Sequence, residues 1–156
     1  ETSVKIAENL ASGKSVAMIC EGDPLYYGSF IYILDRLRDK FPIEIIPGIS
    51  SIHSAAASLK FSLCTQLDRH LTITARSTDA DIIDALRRNE TVAIIKAGAD
   101  RQRIKTLIQS HSPSAHAMYA ENIGRKNELL VTDLAQLPPG PGGYFSLFLC
   151  RNLIPR

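Results

Sequence analysis

The chain of 156 residues is 45% hydrophobic and 22% charged, proportions typical of a soluble globular protein with one ordinary domain or two small lobes. Its net charge of +2 is too small to indicate a nucleic acid or an acidic membrane as partner, and no apolar run approaches the ~18–20 residues of a membrane-spanning helix. Three widely spaced cysteines without a C-x-x-C pair predict reduced thiols in the cytoplasm rather than a disulfide framework. Cys20 and Cys150 lie in apolar runs, which predicts buried, unreactive thiols.

Helix and strand patterns alternate along the chain. Apolar residues recurring every three or four positions predict helices, whereas short and almost wholly apolar runs predict strands buried on both faces of a parallel sheet. In chain order the predicted elements are helix 4–11, strand 15–20, helix 30–37, strand 43–46, helix 50–59, strand 71–74, helix 80–86, strand 91–95, helix 104–108, strand 115–120 and strand 144–150. This alternation predicts an α/β protein with largely parallel strand pairing.

Several residues predict where these elements begin and end. Ser3, Ser50 and Asp79 are the expected helix N-caps, because short polar side chains can accept hydrogen bonds from the free amides of a first turn. The stretch 138–143, rich in proline and glycine, predicts a loop. The turn at 47–51 is the expected boundary between two lobes, residues 1–47 and residues 48–156.

Two loops directly follow predicted strands, where ligands bind in open α/β sheets. In loop 21–24 (EGDP), Gly22 lets the backbone approach a ligand closely and Asp23 offers a carboxylate to a possible cation, although the same residues are typical of a plain turn. Loop 47–51 (PGISS) opens a helix, so its hydroxyls and amides can bind a carboxylate or another anion. Simple helix capping by Ser50 is the alternative.

Other polar residues give weaker indications. Lys96 directly follows a buried strand, and Glu121 and Asn122 follow the next, so these residues are candidates for the rim of a site. Arg101 and the other basic residues of 101–105 are predicted to form a solvated helix face, because no aromatic residues are interleaved as in a nucleic-acid groove. The four histidines lack metal-ligand spacing, and we predict no metal site.

The sequence EGDPLYYGSF at 21–30 resembles the G-D-P loop of the tetrapyrrole (corrin/porphyrin) methylases. Its spelling is most similar to that of the precorrin-2 / cobalt-factor-II C20-methyltransferases within that family. Four later patches resemble the family in the same order, so the resemblance spans essentially the whole chain: 41–57, 91–98, 120–122 and 144–151. The family's opening strand and its G-x-G-P-G-D loop have no counterpart here, and we expect a truncated, cleaved or partial member with an incomplete N-terminal lobe.

The resemblance implies two α/β lobes with S-adenosylmethionine in a trough between them. The cofactor-binding residues that it implies are Glu21, Gly22, Asp23, Tyr26, Ser50, Ser51, Lys96, Ala97, Asn122, Ile123 and Phe145. The implied reaction moves a methyl group from the sulfonium to C20 of precorrin-2 or cobalt-factor II in cobalamin biosynthesis. Alignment of the reacting atoms supplies much of the rate in such a displacement, so no catalytic side chain is nominated.

The resemblance further implies a cytoplasmic homodimer with a tetrapyrrole substrate and with neither nucleic acid nor a membrane as partner. Two alternatives stay open at this point. A sibling methylase with another substrate would bind the same cofactor. A non-catalytic remnant that serves as a binding or oligomerisation module is the other, and the missing front of the lobe keeps it open.

Overall fold

The computed structural model describes residues 1–152. By contacts the chain divides into two units, Glu1–Ser51 and Ile52–Arg156, each with its own architecture; the lobe boundary after residue 47 stays a prediction. In chain order the elements are α1 (Thr2–Ala11), α2 (Phe30–Leu37), α3 (Ser51–Leu59), β1 (His70–Thr74), α4 (Asp79–Arg88), β2 (Thr91–Ile95), α5 (Arg101–His111), β3 (His116–Glu121), β4 (Leu129–Val131), a short 3₁₀ helix (Leu134–Gln136) and β5 (Ser146–Arg151).

The first unit consists of α1, α2 and connecting segments, without a strand anywhere in residues 1–51. The predicted strands 15–20 and 43–46 are therefore wrong. Side chains in both segments face solvent, with Ile19 95% exposed and Ile46 78% exposed. A short apolar run becomes a strand only when a neighbouring strand supplies hydrogen bonds and burial, and the run itself does not specify that neighbour.

Both helices of the first unit lie where the apolar periodicity predicts them, but one cap differs. Helix α1 begins at Thr2, and Glu1 rather than Ser3 occupies the N-cap position. Ser3 is instead buried within the first turn, and its hydroxyl accepts a hydrogen bond from Arg36 Nη1 of α2 at 3.5 Å. The prediction for Ser3 placed the helix start too late, because the apolar stripe does not mark the first turn.

The second unit is built on a five-stranded sheet with the order β1-β2-β5-β3-β4. Only the β1–β2 pair is parallel, whereas β5 pairs antiparallel with both neighbours and β4 pairs antiparallel with β3. The prediction of largely parallel pairing is thus wrong. Strand β5 follows a loop rather than a crossover helix, so it enters the sheet in the opposite direction between β2 and β3.

Apolar side chains cover both faces of this sheet. Val92 and Ile94 pack on one face with α4 and α5, and Ala93 and Ile95 pack on the other with α3. All residues of β2 are buried, as the apolar run 91–95 predicts for a central strand. Because β2 is wholly buried, the polar residue that follows it, Lys96, lies at the edge of the sheet where β2 ends.

Two local features of the second unit differ from expectation. The N-cap of α4 is Thr78 rather than Asp79, since the Thr78 side chain accepts a hydrogen bond from the amide of Asp81 at 3.2 Å. Strand β4 was not predicted, because a three-residue strand is too short to show a period. None of the helices in residues 1–152 has the length and apolar character needed to cross a bilayer.

Candidate functional site

Asp23 joins the two candidate loops of the first unit. Its Oδ2 accepts a hydrogen bond from the backbone amide of Gly48 at 3.0 Å, and its Oδ1 accepts one from the amide of Leu25 at 2.9 Å. Charge-assisted bonds of this kind are stronger than bonds between neutral groups. Both carboxylate oxygens thus accept backbone amides, and the carboxylate shapes the loops; that Asp23 also offers its charge to a cation stays a prediction.

Glycine allows the backbones of these loops to touch. A Cβ on Gly48 would lie 2.4 Å from the carbonyl oxygen of Gly22, a distance that no side chain tolerates. Gly22 itself has φ +84°, a conformation that residues with a Cβ rarely adopt. The contact brings the EGDP and PGISS sequences together within one unit.

The other predicted residues of the first unit surround this contact. Glu21 and Tyr26 are exposed, and the Tyr26 ring meets Tyr27 edge to face with centroids 5.0 Å apart. Ser50 is buried directly before α3, and Ser51 is the first residue of that helix. The two loops thus carry the hydroxyls of Ser50 and Ser51 and the aromatic ring of Tyr26.

A second group of predicted residues meets at one edge of the sheet. Strands β1, β2 and β3 run in the same direction, so the ends of β2 and β3 lie beside the start of β5. The amide of Ala97 donates to the carbonyl of Ser146 at 3.3 Å, and the amide of Asn122 donates to the carbonyl of Phe145 at 2.8 Å. Lys96 and Ile123 adjoin these residues in sequence.

Lys96 and Asn122 turn the chain out of β2 and β3. Their φ angles are +58° and +52°, in the left-handed region that costs roughly 1–2 kcal/mol for a residue with a Cβ. Tyr27 and Lys60 share this conformation elsewhere in the chain, and asparagine adopts it at little cost. At this edge the two angles redirect the backbone as it leaves the strands.

Sequence reasoning missed a buried polar cluster beside the same edge. Arg101, predicted to be solvated, is only 4% exposed, because it folds back from α5 onto the loop that precedes β5. Its Nη1 lies 3.5 Å from Glu121 Oε2, and the Tyr119 hydroxyl donates to the same oxygen at 2.5 Å. Basic spacing on a helix resembles a solvated face, and only the unusual PPGPGG loop hinted at a partner for Arg101.

Tyr119 stays protonated in this cluster. Burial raises the pKa of Tyr119 to about 12, and the hydrogen bond to Glu121 adds to the rise. A neutral hydroxyl can donate a hydrogen bond to the Glu121 carboxylate, which fits the observed geometry. Within residues 1–152, no group of three or more His, Cys, Asp or Glu side chains could hold a metal ion.

Residues 1–138 match the family model described as Tetrapyrrole (Corrin/Porphyrin) Methylases. The chain is 31% identical over 144 residues to the precorrin-2 C(20)-methyltransferase of Sinorhizobium sp, covering 92% of this chain and 58% of that protein. It thus spans little more than half the length of this relative.

Solved structures show the same fold. The uroporphyrin-III-C-methyltransferase from Thermus thermophilus matches with a TM-score of 0.76 at 19% identity, over 97% of this chain and 70% of that one. The Thermus thermophilus uroporphyrin-III C-methyl transferase complexed with S-adenyl homocysteine matches with a TM-score of 0.64 at 17% identity, over 94% and 70%.

Proposed function

The chain belongs to the tetrapyrrole (corrin/porphyrin) methylase family. We propose that it acts as an S-adenosylmethionine-dependent C-methyltransferase on a corrin precursor. The proposed substrate is precorrin-2 or cobalt-factor II, methylated at C20 in cobalamin biosynthesis. The similarity to a precorrin-2 C(20)-methyltransferase and the LYYGS spelling at 25–29 support this choice of substrate. A cytoplasmic location and a homodimer remain predictions.

The observation that carries the proposal is the contact between the two loops of the first unit. Asp23 and Gly48 are 25 residues apart in sequence, yet the carboxylate and the amide are hydrogen-bonded. Two motifs that the resemblance assigns to one cofactor site are thus in contact through their backbones. Each motif alone is compatible with an ordinary turn, and their contact is what a shared binding wall requires.

The residues present fit a nucleoside ligand with a charged amino-acid tail. Exposed aromatic surface is present at Tyr26 of the first unit, and flat rings pack favourably against such surfaces. Hydroxyls and amides at Ser50 and Ser51, together with the start of α3, suit a carboxylate. In the first unit, Tyr26, Ser50 and Ser51 would hold S-adenosylmethionine, which supplies an electrophilic methyl group when it is bound.

The chain's own contribution to the reaction is alignment. Backbone held by glycine contacts and by Asp23 cannot shift easily, so a ligand bound on it has a defined orientation. Holding two reacting atoms in an attack geometry can lower a barrier by several kcal/mol. Because the sulfonium already activates the methyl group, this positioning needs no general base from the protein.

Calorimetric titration with S-adenosylhomocysteine tests the proposal. We expect the chain to bind it, and we expect Asp23→Ala to weaken binding strongly because loops 21–24 and 47–51 would separate. Asp35→Ala is the matched control, since Asp35 forms only an exposed ion pair with Arg38 on α2 and its loss should leave binding unchanged. No heat from the folded chain at millimolar ligand would favour the non-catalytic remnant instead.

Substrate identity needs a separate assay. Incubation with S-adenosylmethionine and precorrin-2 should yield a product that mass spectrometry shows to be heavier by one added methyl group. That methyl group should be attached at C20. A chain that binds S-adenosylhomocysteine but leaves precorrin-2 and cobalt-factor II unchanged would be a sibling methylase with another substrate.

A further inference from the structure

Arg101 holds the loop that leads into β5. Its Nε donates to the carbonyl of Gly140 at 3.1 Å, and its Nη2 donates to the carbonyl of Pro139 at 3.1 Å. The neighbouring Gln102 donates from Nε2 to the carbonyl of Pro138 at 2.9 Å. Successive carbonyls of a loop without regular structure are thus fixed by two side chains from the start of α5.

The Glu121 carboxylate lies against the next part of the same loop, residues 142–143. A Cβ on Gly142 would lie 2.5 Å from Glu121 Oε2, and a Cβ on Gly143 would lie 2.8 Å from Glu121 Oε1. The glycine backbone therefore packs directly on the carboxylate, and a Cβ at either glycine would require the Glu121 side chain to shift. The amide of Gly142 donates to the carbonyl of Gly98 at 2.8 Å, which ties the loop to the end of β2.

The held loop sets the position of a residue in the proposed cofactor site. Only Tyr144 separates Gly143 from Phe145, whose carbonyl accepts the hydrogen bond from Asn122. Asn122 directly follows Glu121, so the carboxylate and the hydrogen-bonded amide move together. A shift of the glycine backbone would be transmitted to Phe145 within two residues.

A buried ion pair of this kind is not explained by stability alone. Burying two charges removes their hydration, and well-packed apolar residues often stabilise a fold as well or better. The cluster also fixes a specific geometry, since Arg101 reaches two carbonyls and one carboxylate with a planar, rigid group. Its position at the sheet edge, beside the left-handed residues Lys96 and Asn122, points to placement of that edge.

We propose that Arg101 and Glu121 are positioning residues for the cofactor: they hold the Gly142–Gly143 backbone and through it place Phe145 for the ligand. The inference rests on the proposed function, because it assumes that the edge at Lys96, Asn122 and Phe145 contacts S-adenosylmethionine. Neither Arg101 nor Glu121 needs to touch the ligand.

Two variants disturb the cluster in different ways. Glu121→Gln keeps the shape of the side chain but removes the charge that Arg101 pairs with. Gly142→Ala keeps every charge but drives a Cβ into the Glu121 carboxylate and the Tyr119 hydroxyl. The control is Asp68→Asn, which weakens another buried ion pair in the same unit, Arg151 Nη2 to Asp68 Oδ2 at 2.7 Å, near the opposite edge of the sheet.

The first measurement is amide hydrogen exchange of Asn122 and Gly142 by NMR, without any ligand. We expect exchange at both amides to accelerate at least about tenfold in Glu121→Gln and Gly142→Ala, relative to amides in the centre of β2. The control should leave this ratio unchanged, because its effect is not local to the edge. Unchanged exchange in both cluster variants would overturn the proposal.

The second measurement is the dissociation constant for S-adenosylhomocysteine. Both cluster variants should bind this ligand at least about tenfold more weakly than the wild type. The control should bind it like the wild type, even if its unfolding midpoint falls as much as those of the cluster variants. Binding of unchanged affinity in folded variants would overturn this inference and leave the proposed function standing. A wild-type chain that binds nothing would overturn the proposed function itself, and the inference with it.

Discussion

In each unit a carboxylate holds a loop that carries candidate residues, but the surroundings of the two carboxylates differ greatly. In the first, the half-buried carboxylate of Asp23 accepts backbone amides from Leu25 and Gly48. In the second, the carboxylate of Glu121 accepts the Tyr119 hydroxyl and pairs with Arg101 in a largely buried cluster. One carboxylate orders loops that lack a sheet behind them, and the other orders a loop at the edge of a packed sheet.

Two apolar runs make the difference concrete. Residues 15–20 and β2 have similar compositions, yet Ile19 is 95% exposed and Ile94 is fully buried. Strand β2 has hydrogen-bonded neighbours on both sides, β1 and β5, and helices cover both of its faces. The contrast teaches that an apolar run supplies only the tendency to be buried, whereas pairing decides whether a strand forms. We therefore expect the first unit to open much more easily than the second.

The largest predicted difference is in cysteine reactivity. Cys20 in the first unit is half-buried, whereas Cys150 on β5 is buried, and burial raises the pKa of Cys150 to about 12. Local openings expose a thiol at little cost in free energy, but exposure of a core strand requires unfolding of the unit. With Cys64→Ser removing the exposed third thiol, a maleimide should modify Cys20 at least about a thousandfold faster than Cys150, as followed by mass spectrometry at pH 7.

Equal modification rates for Cys20 and Cys150 would contradict this comparison, since they would show that both units open together. Rates measured in increasing urea sharpen the test. The Cys150 rate should rise steeply with urea, while the Cys20 rate changes little until the second unit unfolds.

The next largest effect is expected at the sheet edge of the second unit. A Cβ on Gly98 would lie 1.9 Å from the carbonyl oxygen of Gly143, so Gly98→Ala must displace the loop before β5. Overpacking typically costs about 1–3 kcal/mol. We expect Gly98→Ala to lower the free energy of unfolding by about 3 kcal/mol, as measured by urea denaturation. Gly140→Ala is the comparison, because it adds only the strain of a Cβ at φ +76°, with nothing within 4 Å of it, and should cost less, about 1 kcal/mol. If both variants lose the same stability, then the close approach at Gly98 is not tight.

The pH dependence of the second unit follows from Tyr119. Its pKa is about 12 in the folded chain against about 10 for an ordinary tyrosine, so folding favours the protonated hydroxyl. Its stabilisation is therefore complete below pH 10 and is lost as the pH rises towards 12, at roughly 1.4 kcal/mol per pH unit. Urea denaturation at pH 9, 10 and 11 should show this loss, and Tyr119→Phe should remove that part of the slope. Parallel slopes in the two proteins would exclude Tyr119 as the cause.

Much of the second unit could be predicted from the sequence. The run 91–95 is β2 to the residue, because a buried central strand shows its burial as an unbroken apolar run. Lys96 and Asn122 follow β2 and β3 at one edge, as predicted from their positions next to strands, whereas Phe145 was indicated only by the family resemblance. The direction of β5 was missed because the sequence shows which residues prefer burial but not which strand they pair with.

Polar partners could not be predicted for a similar physical reason. The sequence marked Asp23 as unusual but could not show that Gly48 completes its hydrogen bonds, since that contact depends on the path of the chain between them. Arg101 was assigned to a solvated helix face because no aromatic residues are interleaved with the basic residues of 101–105. Its burial is possible because carbonyls of the PPGPGG loop and Glu121 satisfy its donors together, an arrangement that helical periodicity does not encode.

The smallest predicted effect is that of Asp23→Asn on the opening of the first unit, and it should be local. Asp23→Asn keeps the size of the side chain but replaces one acceptor oxygen with an amide nitrogen, so one of the bonds from Leu25 or Gly48 is lost. For a half-exposed group we expect a cost of about 1 kcal/mol, seen as roughly fivefold faster modification of Cys20 with the Cys150 rate unchanged. Asp35→Asn, which alters only an exposed ion pair on α2, should change neither rate. If Asp23→Asn also accelerated Cys150, the two carboxylates would not be ordering separate units, and the contrast between a locally held first unit and a cooperatively held second unit would have to be abandoned.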